Sequence, residues 1–164
     1  MLNHVDAIDI LTTFIAAMTP IGELRLAIPL AIYAREVPWY IALPVAILGN
    51  MIPVLILIPS LSRISRMLLR FRNPAGSLLR WQTKRLQSAH SLRFQKYGAM
   101  ALIILVAIPL PMTGAWTGSL AAWIFQIPPV KAIILIGLGV FIAGVIVTIL
   151  TLSGIEIASI TLSV

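Results

Sequence analysis

Thr19-Pro20-Ile21-Gly22-Glu23-Leu24-Arg25 interrupts an apolar stretch that extends from Ile8 to Tyr33. The apolar runs on the two sides of this break have only about ten residues each, so that each spans roughly 15 Å as a helix. That length is half of the ~30 Å hydrocarbon core of a bilayer. The break therefore predicts either one kinked spanning helix or a re-entrant hairpin that dips to mid-membrane and returns.

A second apolar stretch, from Gly98 to Phe125, is interrupted in the same way by Pro109-Leu110-Pro111-Met112-Thr113-Gly114. Two prolines and a glycine within six residues cannot continue a helix. Non-helical backbone at membrane depth must pack in protein or line a wet cavity, because lipid cannot satisfy its hydrogen bonds. An internal repeat and the distribution of charge both favour hairpins at the two breaks.

The repeat has an offset of 91 residues. Pro20 and Pro111 each precede a short apolar helix, and Pro38 and Pro129 lie 18 residues beyond them. In each half a longer apolar stretch follows, near the ~20 residues that cross a bilayer. The predicted order is hairpin, span, basic connector, hairpin, span.

Composition and charge place this arrangement in a membrane. Of the 164 residues, 60% are hydrophobic and 10% are charged, whereas a soluble domain carries about 25% charged residues. Nine of the twelve Lys and Arg lie between Arg63 and Lys96, where there is no Asp or Glu. The positive-inside rule makes this connector cytoplasmic, and its mixture of apolar and basic residues is typical of amphipathic helices on an anionic leaflet.

With hairpins, the two halves insert from opposite sides and form an inverted repeat, an arrangement in which transporters place their site near the midplane. We therefore expect an all-α integral membrane protein of the cell (inner) membrane, multi-pass, with one domain over 1–164. Its predicted parts are a re-entrant hairpin (8–33), a transmembrane helix (37–61), a basic cytoplasmic amphipathic connector (62–97), a second re-entrant hairpin (98–125), a second transmembrane helix (128–152) and a tail (153–164). Two full spans and two half-spans bury little around a site, so a homodimer is expected. Four full spans remain the alternative, and the turn Arg35-Glu36 would distinguish the two topologies.

Glu23 and Arg25 are charged residues in the middle of an apolar region. Ionisable residues inside a membrane are costly, so they usually face the bundle interior and mark a pathway or a pair. Glu23 is expected in the first turn of the returning half-helix, where the helix dipole favours a carboxylate. Glu23 is accordingly a candidate proton or cation site. Arg25 is a candidate ligand for an anionic headgroup, although mutual neutralisation of the two residues is also possible.

The second break carries no charge. Thr113 is expected to cap the following helix, Gly114 and Gly118 to allow close packing, and Trp116 to line a cavity or to anchor the chain at the interface. Asn50, in the middle of the first span, is expected to make an interhelical hydrogen bond. There is no nucleophile–base set, metal-ligand spacing or phosphate loop, so we expect no enzyme, cofactor or metal, and no nucleic-acid partner.

The runs PIGELRLAIPLAIY and AIPLPMTGAWTGSLAA, with the basic connector between them, resemble the small multidrug export family over nearly the whole chain. That family is distantly similar to the DedA-type and VTT-domain membrane proteins. The resemblance implies an inverted repeat with two re-entrant hairpins and, for the DedA-like relatives, proton-coupled movement of lipids such as polyprenyl phosphates. By position, the first motif comprises Pro20, Gly22, Glu23, Arg25 and Pro29, and the second comprises Pro109, Pro111, Thr113, Gly114, Trp116 and Gly118. The arginines that DedA-type proteins carry with their second motif are missing here.

Three functions follow as hypotheses. The first is a proton-coupled transporter or flippase for an anionic or amphipathic lipid-like substrate, with Glu23 titrating, Arg25 holding the headgroup and membrane lipids as partners. The second is a small multidrug exporter of hydrophobic cations, which the charge of Arg25 would repel. The third is a non-transporting structural or assembly factor that acts through its basic connector.

Overall fold

The computed structural model describes residues 5–70, 92–108 and 114–162, with side chains described up to residue 64, from 98 to 108 and from 114 to 154. Within these ranges the chain is helical and contains no strand, as the sequence predicts. The helices are α1 (Ala7–Met18), α2 (Glu23–Pro29), α3 (Trp39–Arg70), α4 (Leu92–Ala107), α5 (Ala115–Ile124) and α6 (Pro129–Leu162), and α2 continues as a π-helical turn over Leu30–Ala34. Most of the basic connector, residues 71–91, lies outside the described residues.

Two of these helices are long and apolar enough to cross a membrane, α3 over Trp39–Ile64 and α6 over Pro129–Gly154. The side chains that they expose are large and apolar. Examples are Leu48, Leu55, Ile56, Ile134, Leu138 and Phe141. Monomeric soluble proteins rarely expose contiguous apolar patches of this kind, so the pattern indicates a surface covered by lipid. The two long apolar stretches are therefore candidate spans in the structure as well as in the sequence.

The first break is a tight turn after which the chain folds back. The Thr19 hydroxyl donates to Ala16 O at 2.8 Å and accepts from the Gly22 N–H at 3.2 Å. A Cβ on Gly22 would lie 2.9 Å from the same hydroxyl oxygen, so the turn requires glycine there. Arg35, just beyond α2, forms a 2.8 Å ion pair with Asp9 near the start of α1. One continuous helix would hold these residues roughly 39 Å apart, so α1 and α2 run antiparallel.

The two candidate spans also run antiparallel. A Cβ on Gly144 of α6 would lie 2.9 Å from Leu43 Cδ1 and 3.5 Å from Ile47 Cγ1 of α3, and one on Gly137 would lie 3.6 Å from Met51 Cε. Residue numbers therefore rise along α3 as they fall along the facing part of α6.

The contacts of the first three helices are matched by those of the last three. Helix α1 packs on α3 as α4 packs on α6, and the short helices α2 and α5 each contact both spans. Gly49 of α3 lies against the Phe14 carbonyl of α1, and a Cβ on Gly139 of α6 would lie 2.7 Å from Val106 Cβ and 3.1 Å from the Ile103 carbonyl of α4. Glycine thus allows close helix approach in both halves. The buried core draws on each of the helices in the described ranges.

Candidate functional site

The two breaks meet at the carboxylate of Glu23. Glu23 is the first residue of α2, is 6% exposed, and accepts hydrogen bonds from the backbone N–H groups of Ala115 and Trp116. Those groups belong to the first turn of α5, where N–H groups have no partner within the helix and the helix dipole favours a negative charge. Glu23 lies in the first turn of α2, as expected, and its carboxylate also lies at the N-terminus of α5 in the second half.

Gly114 leaves the space that the carboxylate occupies. A Cβ on Gly114 would overlap Glu23 Oε2 and would lie 2.6 Å from Oε1. The φ of Gly114 is −179°, an extended conformation open to any residue, so the requirement for glycine arises from space rather than from backbone conformation. Gly114 lies 91 residues after Glu23, so these two residues occupy equivalent places in the sequence repeat.

Two further hydrogen bonds connect the halves reciprocally. Arg25 Nη2 donates to the Ile108 carbonyl at 3.2 Å, just beyond the end of α4. Trp116 Nε1 donates to the Met18 carbonyl at 3.2 Å, at the end of α1. Carbonyls at helix C-termini lack partners within their helix, so Arg25 of α2 satisfies the end of α4 and Trp116 of α5 satisfies the end of α1. Arg25 and Trp116 are also 91 residues apart.

We call the group of residues Glu23, Arg25, Gly114, Ala115 and Trp116 the junction, and the backbone there is strained. Glu23 has a φ of +47°, and the left-handed conformation costs a non-glycine residue roughly 1–2 kcal/mol. Such outliers persist when the surroundings over-determine them, and they cluster at functional sites. Here the hydrogen bonds to α5 fix the side chain and so hold the strained residue.

A narrow pocket surrounds the junction and has no room for a water-sized molecule. It is lined by Glu23, Leu24, Arg25, Asn50, Val106, Gly114, Val140 and Ala143. Arg25 interacts electrostatically with Glu23 within it. Asn50 is 1% exposed, and among the described residues its Oδ1 has no hydrogen-bond partner. The expected interhelical hydrogen bond is therefore missing for that oxygen, because the side chain lines the pocket.

A family model described as "Putative small multi-drug export protein" matches residues 23–146, most of the chain. The chain belongs to this family. The match begins at Glu23, covers the first candidate span and ends within the second, so Glu23, Arg25, Gly114 and Trp116 of this small multi-drug export family member lie within it. No curated protein and no solved structure matches the chain. The similarity to DedA-type and VTT-domain proteins stays a prediction.

Of the residues predicted for the site, Glu23, Arg25 and Gly114 share the pocket, and Trp116 ties the same junction to α1. Others have structural roles in this family member. Gly22 shapes the first turn, and a Cβ on Gly118 would lie 2.6 Å from Val106 Cγ2.

The predicted prolines do not line the pocket where they are described. Pro20 is exposed in the turn, and Pro29 ends α2 where the π-helical turn begins. Pro109, Pro111 and Thr113 lie outside the described residues, and the predicted cap by Thr113 with them.

Sequence reasoning missed the acceptors Met18 and Ile108 and the apolar walls Val140 and Ala143. The acceptors are backbone groups, which no side-chain motif identifies. Their position at the end of a helix before a break was the available signal, since such carbonyls need partners.

Proposed function

We propose that this small multi-drug export family member is a proton-coupled membrane transporter for an anionic, lipid-like amphipath such as a polyprenyl phosphate. We further propose that its halves form an inverted repeat of a re-entrant hairpin and a spanning helix. The ion pair between Arg35 and Asp9 supports the hairpin, because it brings both ends of the first broken segment to one side. The antiparallel spans and the matched contacts of the halves support the inversion. Inverted-repeat transporters bind substrate at the repeat interface, which is where Glu23 lies.

The observation that carries the proposal is the buried Glu23 carboxylate on the N-terminus of α5. An ionised carboxylate accepts strong, charge-assisted hydrogen bonds from the N–H groups of Ala115 and Trp116. A proton on Glu23 removes the charge and weakens those bonds. Protonation therefore loosens the contact between the two halves. Because a proton binds differently to the docked and the loosened arrangement of the halves, it shifts the equilibrium between them.

The groups that Glu23 leaves form an anion site. The N–H groups of Ala115 and Trp116 lie at a helix N-terminus, where phosphates and carboxylates bind readily, and Arg25 borders the same pocket. The remaining walls are mainly apolar, with Leu24, Val106, Val140 and Ala143 among them. This combination suits an anionic head with an apolar tail. The Glu23 carboxylate and the substrate anion compete for the same N–H groups, so the binding of one anion is coupled to the uptake of one proton.

Export of hydrophobic cations is the second candidate, and the family description favours it. In that reaction Glu23 would exchange its proton for the cation. The positive charge of Arg25 in the same pocket opposes cation binding, so we place the anionic substrate first.

The test is transport in proteoliposomes under an imposed pH gradient, with a fluorescent short-chain prenyl phosphate as the probe. Glu23→Gln should reduce pH-driven translocation at least tenfold, because glutamine cannot exchange a proton. Glu36→Gln is the matched control, since Glu36 is exposed in the turn before α3 and the chemical change is the same. Transport and pH dependence at wild-type levels in Glu23→Gln would refute the proposal.

Arg25→Ala separates the two substrates. Translocation of the prenyl phosphate should fall, and any efflux of ethidium should not. A gain in ethidium efflux with no loss of prenyl phosphate translocation would instead support the cation exporter. Because Arg25 also binds the Ile108 carbonyl, each variant is first checked for a single symmetric peak in size-exclusion chromatography.

A further inference from the structure

Asn50 is a buried polar residue that the proposed function does not use. It lies within the candidate span Trp39–Ile64, is 1% exposed, and lines the same pocket as Glu23. Its Oδ1 accepts no hydrogen bond from any described residue. A buried acceptor without a donor destabilises a protein, so such groups in native structures need an explanation.

The pocket holds few groups that can donate to this oxygen. Its other lining side chains belong mainly to aliphatic residues and glycine. Arg25 directs Nη2 to the Ile108 carbonyl, and none of its guanidinium N–H groups donates to Asn50 Oδ1. An ionised Glu23 is an acceptor only, but a protonated carboxyl group carries one O–H donor. Protonation of Glu23 thus creates a donor in the pocket that contains the Asn50 acceptor.

We propose that Asn50 Oδ1 accepts the hydrogen bond of the Glu23 carboxyl group when Glu23 is protonated. The proposal rests on the proposed function, in which Glu23 takes up the transported proton. The ionised side chain binds the N–H groups of Ala115 and Trp116 in the second half. The protonated side chain turns to α3 of its own half, and the proton adds to one carboxylate oxygen and leaves from it again. Asn50 is thereby a positioning residue for the proton-carrying state.

The charges around the site leave Glu23 as the group that titrates between these positions. Arg25, on the same helix, is the charged residue that interacts with Glu23. The pocket residues contributed by α3, α4, α6 and the residue before α5 are not titratable. Helix α1 also packs on α2, and its Asp9 forms an ion pair with Arg35 at the far end of the hairpin.

Infrared difference spectroscopy of the full chain in lipid nanodiscs tests this inference during a pH titration. The wild-type protein should show a protonated carboxyl band that disappears in Glu23→Gln. In Asn50→Leu, which lacks the acceptor, that band should move to higher frequency because the O–H loses its partner. Proton binding should weaken about tenfold, the effect of one hydrogen bond, so the midpoint should fall by about one pH unit.

Thr148→Val is the matched control. Thr148 is a buried polar residue of α6 whose hydroxyl donates to the Gly144 carbonyl of its own helix at 2.8 Å. It does not line the pocket, so the band and its midpoint should stay as in the wild type. Asn50→Gln keeps a carboxamide, so its band frequency and midpoint should lie between those of Asn50→Leu and the wild type.

The outcomes are distinguishable. If no carboxyl band depends on Glu23, Glu23 does not take up a proton, and the proposed function fails together with this inference. If the band depends on Glu23 but keeps its frequency and midpoint in Asn50→Leu, the inference alone is overturned. If Asn50→Leu does not give folded protein, Asn50→Ala also lacks the acceptor, adds no bulk, and is judged by the same two readouts.

Discussion

Substitution of Gly114 by alanine should break the junction between the two halves. The added Cβ would overlap Glu23 Oε2 and lie 2.6 Å from Oε1, so the carboxylate must leave its position. The alternative to a movement of Glu23 is a movement of the Gly114 backbone, which would disturb the start of α5. We expect the side chain of Glu23 to yield and α5 to stay.

The size of the effect follows from the contacts that are lost. The carboxylate gives up its hydrogen bonds from the N–H groups of Ala115 and Trp116. A hydrogen bond to a charged group contributes about 1.5–3 kcal/mol. Two such bonds together give an expected loss of roughly 3–6 kcal/mol, with a smaller loss where Glu23 becomes protonated on leaving.

The assay is a double-mutant cycle of equilibrium unfolding in detergent micelles. Glu23→Ala removes the carboxylate, and Gly114→Ala on that background should then cost less than about 1 kcal/mol, so that the coupling between the positions is about 2 kcal/mol or more. Gly137→Ala is the matched control in the membrane region, because its Cβ would meet Met51 Cε at an ordinary 3.6 Å. An equal cost of Gly114→Ala with and without the carboxylate would refute the placement of Glu23 against Gly114.

Three other substitutions, one of them with a control at Gly98, test the surrounding packing by the same unfolding measurement. Trp116→Phe removes the indole donor to the end of α1 and should cost about 1 kcal/mol; an unchanged stability would mean that this bond is not formed. Gly139→Ala places a Cβ 2.7 Å from a side-chain carbon of α4 and should cost about 1–3 kcal/mol, whereas Gly98→Ala, which meets nothing within 4 Å, should not destabilise. Arg35→Gln removes the partly exposed ion pair with Asp9 and should cost at most about 1 kcal/mol, less at high salt; a larger, salt-independent loss would contradict the assignment of the pair to the surface.

The sequence predicted the helices and the breaks because they depend on local properties. Apolar length defines α3 and α6, and Pro20 with Gly22 defines the first turn. The choice between a kinked span and a hairpin did not follow from these properties, since both arrangements require the same short apolar runs. The ion pair between Arg35 and Asp9 brings the ends of the hairpin together, and its two residues are separated by 26 positions.

The chemistry of the site was predictable in part. Glu23 and Arg25 were identifiable because charge within an apolar stretch is costly, but their partners depend on how the two halves dock. Gly114 was expected only to allow close packing, although it lies 91 residues after Glu23. Under the proposed inverted repeat, equivalent residues can touch only near the axis that relates the halves. On that proposal, the offset of 91 residues could have indicated that Glu23 and Gly114 meet and that the glycine leaves space for one carboxylate.

Asn50 shows the limit of reasoning from residue type. A polar side chain in a span was expected to find a partner on another helix, because lipid offers none. The structure instead places it beside an ionisable group, and on the proposal above its partner depends on the protonation of that group. Neither the sequence pattern nor the helix periodicity contains that information.

The contact between the two breaks is the central claim, and cysteine cross-linking tests it most directly. The chain has no cysteine, so Glu23→Cys with Gly114→Cys supplies the only two thiols, and a protease site inserted between residues 71 and 91 allows the halves to be separated. After oxidation in membranes, or treatment with a short thiol-specific linker, we expect the cleaved halves to stay together until reductant is added. The control pair, Glu23→Cys with Gly98→Cys, should not cross-link. Halves that separate without reductant in the variant substituted at Glu23 and Gly114, or that cross-link equally in the control, would contradict the meeting of the two breaks.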